Sequence, residues 1–175
     1  RVRGYDLKNG DVIWECSGMT ANAIPSPVAA DGVLYVMSGF RGNALLAIRL
    51  AGAKGDITGT DAVVWSYDKD TPYVPSPLLY GNTLYFLKHN KGILSGLNTE
   101  TGEQNYMQRL EDIEGMYASP VGAKDRIYLV GRNGVSLVIK HGAEYEVLSS
   151  NVLDESFSAS PAIAATRERR PCSSG

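Results

Sequence analysis

The sequence predicts an all-β fold made of repeated, four-stranded antiparallel sheets. Three observations lead to this prediction: a Ser-Pro pair that recurs along the chain, short apolar runs that each follow a turn signal, and the lack of a convincing helical period. The Ser-Pro pairs begin at residues 26, 76, 119 and 160, in steps of 50, 43 and 41 residues. A period of about 40 to 50 residues is the length of one β-propeller blade, so each copy predicts one blade.

The first two strands of each blade follow from the residues after the Ser-Pro pair. Five residues after the first two serines stand Asp31-Gly32 and Gly81-Asn82, which are pairs that accept the positive φ angles of a tight hairpin. The third copy has Lys124-Asp125 in the same register. The runs VLYVMS, TLYFLK and RIYLVG come next, and such continuous apolar runs indicate strands covered on both faces by neighbouring sheets.

The third and fourth strands carry the most specific pattern. Third strands are predicted at ALLAIRL, ILSGLN and VSLVIK. In GYDLKNGDVIW (4–14) a small residue, a turn-forming acid, a Gly turn and a terminal aromatic stand at fixed offsets, and GLNTETGEQNY (96–106) repeats the arrangement. We expect Trp14, Trp65 and Tyr106 to be structural anchors that bury a large area against the adjacent blade.

Two copies depart from this pattern. In the second copy, Ala47 and Trp65 are 18 residues apart where the other copies have 10, and the inserted stretch AGAKGDITGTDA contains three glycines. We expect this stretch to be a flexible surface loop. The third full copy, SLVIKHGAEYEVL, lacks both the Thr-Gly turn and the terminal aromatic.

The hairpin pattern resembles the tryptophan-docking motif, Ala-x-Asp-x-x-Thr-Gly-x-x-x-Trp, of the quinoprotein-like (PQQ-like, BamB-type) β-propeller repeat family. The family includes pyrroloquinoline-quinone (PQQ) dehydrogenases and BamB-type assembly lipoproteins. The likeness extends over residues 1–165, with Gly for Ala in two copies and Tyr106 for Trp. It implies that the chain is the C-terminal part of a propeller, which in this family closes with about seven or eight blades. It also implies a periplasmic or extracellular location, although the sequence shows no signal peptide.

About 3.75 blades fit into this part of the chain. The predicted units are a half-blade at 1–18, blades at 24–67, 74–109 and 117–149, a single strand at 158–164 and an irregular tail at 166–175. In the tail, RERRPC stands where an apolar strand is expected, which suggests a frame change or truncation near Ala165. Three completions of the ring stay open. The two ends combine into a fourth blade, a homodimer forms in which each C-terminal strand completes the partner's N-terminal blade, or the remainder of a longer polypeptide is missing.

The composition argues against several classes of partner. A net charge of −2 and a pI of about 5.7 argue against a nucleic-acid partner and against an anionic membrane surface. The apolar runs are too short for a membrane span. Cys16 and Cys172 are either a pair or two unpaired thiols, and without a Cys-x-x-Cys pair or clustered histidines the sequence predicts no metal site.

Ligand binding is expected where the loops between second and third strands meet the connections between blades, because rigid strands carry variable loops there. The candidate residues combine both charge signs with aromatic rings. They are Arg41, Tyr73, His89, Lys91, Asp112, Glu114, Tyr117 and Arg132. The alternative interpretation is that they are ordinary solvated loop residues.

No catalytic arrangement emerges from these candidates. The acids of LEDIEG (110–115) are close enough to share a cation or act as an acid/base pair, but no calcium-type loop surrounds them, and no carboxylate is placed to orient His89. The resemblance implies a vicinal cysteine pair and a calcium-binding carboxylate set in the PQQ enzymes, and no residues here match either, so neither PQQ nor calcium is predicted.

The sequence therefore predicts a non-catalytic scaffold that binds a protein or a carbohydrate-like ligand through its loop face. One alternative is part of an enzyme, either a PQQ-type oxidoreductase or a hydrolase or lyase that uses loop carboxylates. The other is a folded gene fragment without a selected function.

Overall fold

The computed structural model describes residues 1–88 and 92–164, and every regular element within them is a β-strand. The strands are β1 Val2–Tyr5, β2 Val12–Cys16, β3 Val28–Ala30, β4 Val33–Ser38, β5 Ala44–Arg49, β6 Gly55–Asp56, β7 Val63–Tyr67, β8 Leu78–Tyr80, β9 Thr83–Lys88, β10 Ile93–Asn98, β11 Gln104–Arg109, β12 Val121–Ala123, β13 Arg126–Val130, β14 Val135–Lys140 and β15 Val147–Val152.

These strands form four sheets. Three are four-stranded antiparallel meanders in the orders β3-β4-β5-β7, β8-β9-β10-β11 and β12-β13-β14-β15, and we call them the first, second and third full blades. The remaining sheet has the order β1-β2-β6, and its antiparallel pair β1–β2 is the N-terminal half-blade. The predicted all-β fold with four-stranded antiparallel blades is confirmed.

Tight turns close the first hairpin of each full blade. Asp31 and Gly32 have φ angles of 51° and 77°, and Lys124 and Asp125 have 49° and 57°. A non-glycine residue at positive φ costs about 1 kcal/mol relative to the right-handed region. The third full blade therefore keeps the hairpin geometry in spite of less favourable turn residues.

Buried apolar side chains fill the space between consecutive sheets. Trp14 and Ile48 belong to the cluster between the half-blade and the first full blade. Phe86 belongs to the next cluster, and Leu94 and Ile127 pack between the second and third full blades. The first and second full blades are thus covered on both faces, which explains why their central strands are continuous apolar runs.

The inserted stretch of the first full blade is largely exposed, as expected of a surface loop, but it also contains a short strand that was not predicted. Its strand β6 pairs in parallel with β2, opposite Trp14 and Glu15, and so becomes the third strand of the N-terminal sheet. Ile57 is only 3% exposed, and its N–H donates to the carbonyl of Glu15 over 2.9 Å. This strand was not predicted because a single isoleucine between glycines produces no strand period.

The end of the described chain also differs from expectation. The last strand is β15, and residues 158–164 carry no strand, although a single strand was predicted there. A strand needs a hydrogen-bonded neighbour, and the neighbour expected from the repeat is residues 167–172. Those residues, with the rest of the predicted tail at 166–175, lie outside the described residues.

Candidate functional site

One side of the blades gathers the loops between second and third strands and the connections between blades. Asparagine side chains hold these segments together in two different blades. The N–H of Thr71 donates to Asn43 Oδ1 over 3.2 Å, and the N–H of Glu114 donates to Asn133 Oδ1 over 3.2 Å. We call this side the loop face, formed by residues 39–43, 68–77, 110–120 and 131–134.

The opposite side, which we call the turn face, gathers the tight hairpins. In each full blade a backbone hydrogen bond joins the turn between strands three and four to the turn between strands one and two. The N–H of Thr99 donates to the carbonyl of Asn82 over 3.0 Å, and the N–H of His141 donates to that of Asp125 over 2.9 Å. The six candidate ligand-binding residues that the structure describes lie on the loop face: Arg41, Tyr73, Asp112, Glu114, Tyr117 and Arg132.

Arginine side chains lie over aromatic rings at two places on the loop face. The guanidinium carbon of Arg41 is 5.2 Å from the ring centroid of Phe40, and that of Arg132 is 5.3 Å from the ring centroid of Tyr117. Phe40 in turn stacks on Tyr73, with 4.9 Å between ring centroids and 29° between ring planes. Three of the predicted candidates, Arg41, Arg132 and Tyr117, therefore take part in cation–π contacts, and Tyr73 is joined to one of these contacts by its stacking on Phe40. Phe40 was missed in the sequence analysis, although an aromatic next to a loop arginine was the available signal.

Asn133 binds the backbone of both acidic candidates, Asp112 and Glu114, and both residues are exposed. Asn133 Nδ2 donates to the carbonyl of Asp112 over 2.7 Å. Glu114 and Arg132 line one depression of about 310 Å³, whereas Asp112 lines another of about 330 Å³ beside Tyr145. Glu114 therefore lines the same depression as Arg132, whereas Asp112 lines a different depression together with Glu111.

Lys88 is a further loop-face residue that the sequence analysis did not single out. Its Nζ donates to the carbonyls of Gly39 (3.1 Å) and Thr71 (3.1 Å) and to Asn43 Oδ1 (3.0 Å). It therefore ties the second full blade to the loops of the first. The adjacent candidates His89 and Lys91 lie outside the described residues.

The anchor Trp65 docks on the following blade. Its Nε1 donates to the carbonyl of Thr99 over 3.0 Å, and its ring lies so close to Gly102 that a Cβ there would come within 2.6 Å. Gly102 has a φ of 73°, so both its conformation and its missing side chain are required. Tyr35 stands beside the indole, with 5.6 Å between ring centroids, and its hydroxyl donates to the same Thr99 carbonyl over 3.1 Å.

The other two anchors occupy equivalent positions in their sheets. Trp14 pairs with Gly4 and is 7% exposed, and a Cβ on Gly4 would come within 2.2 Å of its ring. Tyr106 pairs with Gly96 and lies 5.8 Å from Tyr145 between ring centroids, and burial raises the pKa of Tyr106. The small residue at the start of the motif therefore makes room for the ring on the neighbouring strand.

The serines of the Ser-Pro pairs form a hydrogen-bonded relay from blade to blade. The N–H of Ser26 donates to Ser76 Oγ, the N–H of Ser76 to Ser119 Oγ, and the N–H of Ser119 to Ser160 Oγ, each over 2.9 Å. The serines therefore recur once per blade because they join consecutive blades. Within the described residues, none of them is hydrogen-bonded to a general base that could activate it as a nucleophile.

Among residues 1–88 and 92–164, no three His, Cys, Asp or Glu side chains are placed to hold one ion. Cys16 is 1% exposed in the cluster between the half-blade and the first full blade, and burial raises the pKa of its thiol. Cys172 lies outside the described residues. No helix in the described part of the chain is long and apolar enough to cross a bilayer.

Comparison with known proteins gives one family and a shared fold. The family model described as outer membrane protein assembly factor BamB matches residues 1–165, and no curated protein sequence matches the chain. Among solved structures, the computationally designed protein Ika8 has a TM-score of 0.65 at 12% identity, over 90% of this chain and 45% of its own.

Two dehydrogenases are also similar in structure. The europium-containing methanol dehydrogenase has a TM-score of 0.57 at 15% identity, over 72% of this chain and 24% of its own. The quinohemoprotein alcohol dehydrogenase from Comamonas testosteroni has a TM-score of 0.55 at 19% identity, over 77% of this chain and 21% of its own. The chain spans less than half of each of these three structures, and at such identities the likeness concerns the propeller fold alone. The match over residues 1–165, together with the repeated docking motif, shows that the chain belongs to the BamB-type family of β-propeller repeat proteins.

Proposed function

We propose that this chain is a non-catalytic propeller module that binds a protein through its loop face. The observation that carries the proposal is the pair of arginine–aromatic stacks, Arg41 on Phe40 and Arg132 on Tyr117, on one face of two different blades. Arginine and aromatic side chains are enriched at the centres of protein interfaces and supply much of their binding energy.

The loop face is also held in place before any ligand arrives. Lys88 and Asn43 fix the segment that carries Tyr73, and Asn133 fixes the segment that carries Glu114. A preorganised surface loses less conformational entropy on binding, so the same contacts give a higher affinity. Rigid strands that present such loops are a common arrangement for recognition.

The family description supports a protein ligand and an exported location. The family is described as an outer membrane protein assembly factor, and a factor that helps to assemble proteins is expected to bind them. We therefore place this chain in the periplasm or outside the cell and take a carbohydrate-like ligand as the alternative. The ring is completed by a second copy, as in the predicted homodimer, or by the remainder of a longer polypeptide.

Selection of binding peptides tests the proposed function. Random peptides displayed on phage are selected on the immobilised chain, and Kd values of the selected peptides are then measured with Arg41→Ala and Arg132→Ala. Lys8→Ala is the matched control, because Lys8 is an exposed cation of the turn face. We expect Kd to rise about tenfold or more in the arginine variants and to stay unchanged in the control.

Two results would count against this function. If no peptide is selected, or if the selected peptides bind the arginine variants as tightly as the wild type, the loop face is not a protein-binding surface. If an array of glycans binds instead, with the same loss in Arg41→Ala and Arg132→Ala, the carbohydrate alternative replaces the protein ligand.

A further inference from the structure

The N-terminal sheet shows how an added strand docks on the outer edge of this fold. Its strand β6 comes from the inserted stretch of the first full blade and runs parallel to β2. The N–H of Ile57 donates to the carbonyl of Glu15 over 2.9 Å. The N–H of Ser17 donates to Thr58 Oγ1 over 2.9 Å. The added segment is therefore held on an edge strand by hydrogen bonds to the main chain.

The side chain of Ile57 fills the groove between the half-blade and the first full blade. Ile57 is 3% exposed and shares a core cluster with Cys16 of the half-blade. Leu46 and Val63 of the first full blade pack against the same cluster. The occupant of this groove is thus one branched aliphatic side chain, carried by a strand that lies outside the four strands of a blade.

At the next junction, between the first and second full blades, a tyrosine closes the equivalent groove. Tyr67 stands at the position of Cys16, two residues after the anchor of its blade. Its hydroxyl donates over 2.7 Å to Oε1 of Gln104, which stands at the position of Val63. Tyr67 therefore spans the groove from one blade to the other, and no added strand is needed there.

Between the second and third full blades the equivalent groove keeps similar walls. Gln108 stands at the position of Cys16, two residues after the anchor of its blade. On the other side, Leu137 and Val147 stand at the positions of Leu46 and Val63. Leu137 belongs to the core cluster between these two blades. This groove lies between two complete blades and not at either end of the chain.

This third groove is open among the described residues. Gln108 turns back along its own strand, since its Nε2 donates to the carbonyl of Arg109 over 2.9 Å. Val147 is 46% exposed. The depression of about 330 Å³ that Gln108, Leu137 and Val147 line, with Tyr145 at its turn-face end, is named the β11 groove. It has room for a branched aliphatic side chain like that of Ile57.

The outer edge of β11 offers a hydrogen bond to a segment that lies along the β11 groove. Within the described residues, β11 is the outermost strand of its sheet. Bonding to a neighbour alternates along an antiparallel strand. The carbonyl of Met107 accordingly stands where the carbonyl of Glu15 accepts from the N–H of Ile57. A segment parallel to β11 therefore finds an acceptor beside the groove.

The rim of the β11 groove towards the loop face is acidic. The carboxylates of Glu111 and Asp112 and the guanidinium of Arg109 line it, and all three residues are exposed. Burial and, after it, the charge of Glu111 raise the pKa of Tyr145, so this carboxylate acts on the groove. A strand parallel to β11 runs towards these acids, so the residues that follow its aliphatic side chain meet negative charge.

We infer that the β11 groove binds an extended segment of a partner protein, which adds a parallel strand to β11 and places an isoleucine or valine side chain in the groove. Lysine or arginine two to three residues after that side chain pairs with Glu111 and Asp112. The main-chain bonds supply affinity, and the groove and its acidic rim supply specificity. This surface is separate from the loop-face stacks, and the inference does not rest on the proposed function.

Binding of a labelled peptide tests this inference. The probe is fluorescein-labelled AKGSITKK, which keeps the Gly-x-Ile-Thr order of the inserted stretch and adds two lysines for the acidic rim. Fluorescence anisotropy follows its binding to the full chain. We expect saturable binding with a Kd of about 1 mM or below. The matched peptide AKGSSTKK, which lacks the isoleucine, should bind about tenfold more weakly.

Variants of the chain identify the site. Val147→Asp places a charge in the β11 groove and should raise Kd about tenfold or more. Leu148→Asp is the matched control, because Leu148 is 44% exposed on the same strand and does not line the groove. The double change Gln108→Tyr with Val147→Gln copies the pair that closes the preceding groove, and it should abolish binding. Urea unfolding checks that each variant is folded.

Three results would overturn the inference. The first is the lack of saturable binding of AKGSITKK, and the second is equal binding to the wild type and to Val147→Asp. The third is binding that Arg41→Ala and Arg132→Ala weaken while Val147→Asp does not, because the peptide then lies on the loop face. Peptides selected for the loop face do not depend on Val147, so the proposed function and this inference can each fail alone.

Discussion

A methyl group added at Gly102 should release Trp65 from the next blade, and the same change at Gly10 provides a matched control. Both glycines occupy the same place in equivalent turns, with φ angles of 73° and 79°. A Cβ at Gly102 would come within 2.6 Å of the indole, whereas a Cβ at Gly10 would meet nothing within 4 Å. The pair of variants therefore separates backbone strain from anchor docking.

The expected magnitudes follow from these two terms. Alanine at such a φ costs about 1 kcal/mol in either turn. At Gly102 the indole must also move, which breaks its hydrogen bond to the carbonyl of Thr99, worth about 1 kcal/mol. Complete loss of a buried tryptophan costs about 3 to 5 kcal/mol, and a half-buried ring that shifts loses about 1 to 2 kcal/mol of packing. Gly102→Ala should therefore destabilise by about 2 to 3 kcal/mol more than Gly10→Ala.

Urea unfolding followed by tryptophan fluorescence measures the difference in free energy of unfolding. If Gly102→Ala and Gly10→Ala destabilise equally, within about 0.5 kcal/mol, the docking of Trp65 contributes nothing to stability. The anchor role of this residue would then be refuted.

Three further outcomes are expected. Ser76→Ala removes the acceptor for the N–H of Ser26 and should cost about 1 kcal/mol in urea unfolding, and an unchanged stability would make the serine relay incidental. The double change Lys124→Asn with Asp125→Gly replaces two residues at positive φ by residues that accept it, and it should stabilise the fold by about 1 kcal/mol. A lower Tm would contradict the turn assignment. Burial raises the pKa of Tyr106 above its unfolded value near 10, so the stability it lends is complete below about pH 10 and is lost at higher pH. Tyr106→Phe should therefore lessen the alkaline loss of stability in pH-dependent urea unfolding, and an unchanged pH profile would contradict this.

The sequence was most informative where one physical requirement recurs in every blade. Gly4 and Gly96 each precede the aromatic anchor that they pair with by ten residues, and a small residue is needed there because the ring lies over it. The Ser-Pro pairs recur because each serine bonds to the serine of the next blade. Such local rules are visible in a single chain because the repeats serve as their own alignment.

Features that depend on a partner elsewhere in the chain were not predictable in this way. Ile57 is buried because β6 pairs with β2, a contact across some forty positions that no local period reveals. Lys88 looks like the polar end of an apolar strand, yet its ammonium group joins three oxygens of the preceding blade. At the candidate site the sequence analysis found the loop residues but missed Phe40, whose ring contacts Arg41 and stacks on Tyr73.

Hydrogen–deuterium exchange with and without a selected peptide tests the proposed binding surface most directly. The peptide should slow the exchange of amides in residues 39–43, 68–77, 110–120 and 131–134, which form the loop face. The turns of the opposite face, at residues 6–11, 98–103 and 141–146, should exchange at unchanged rates. Protection confined to those turns would contradict the claim that this propeller binds its ligand through the loop face.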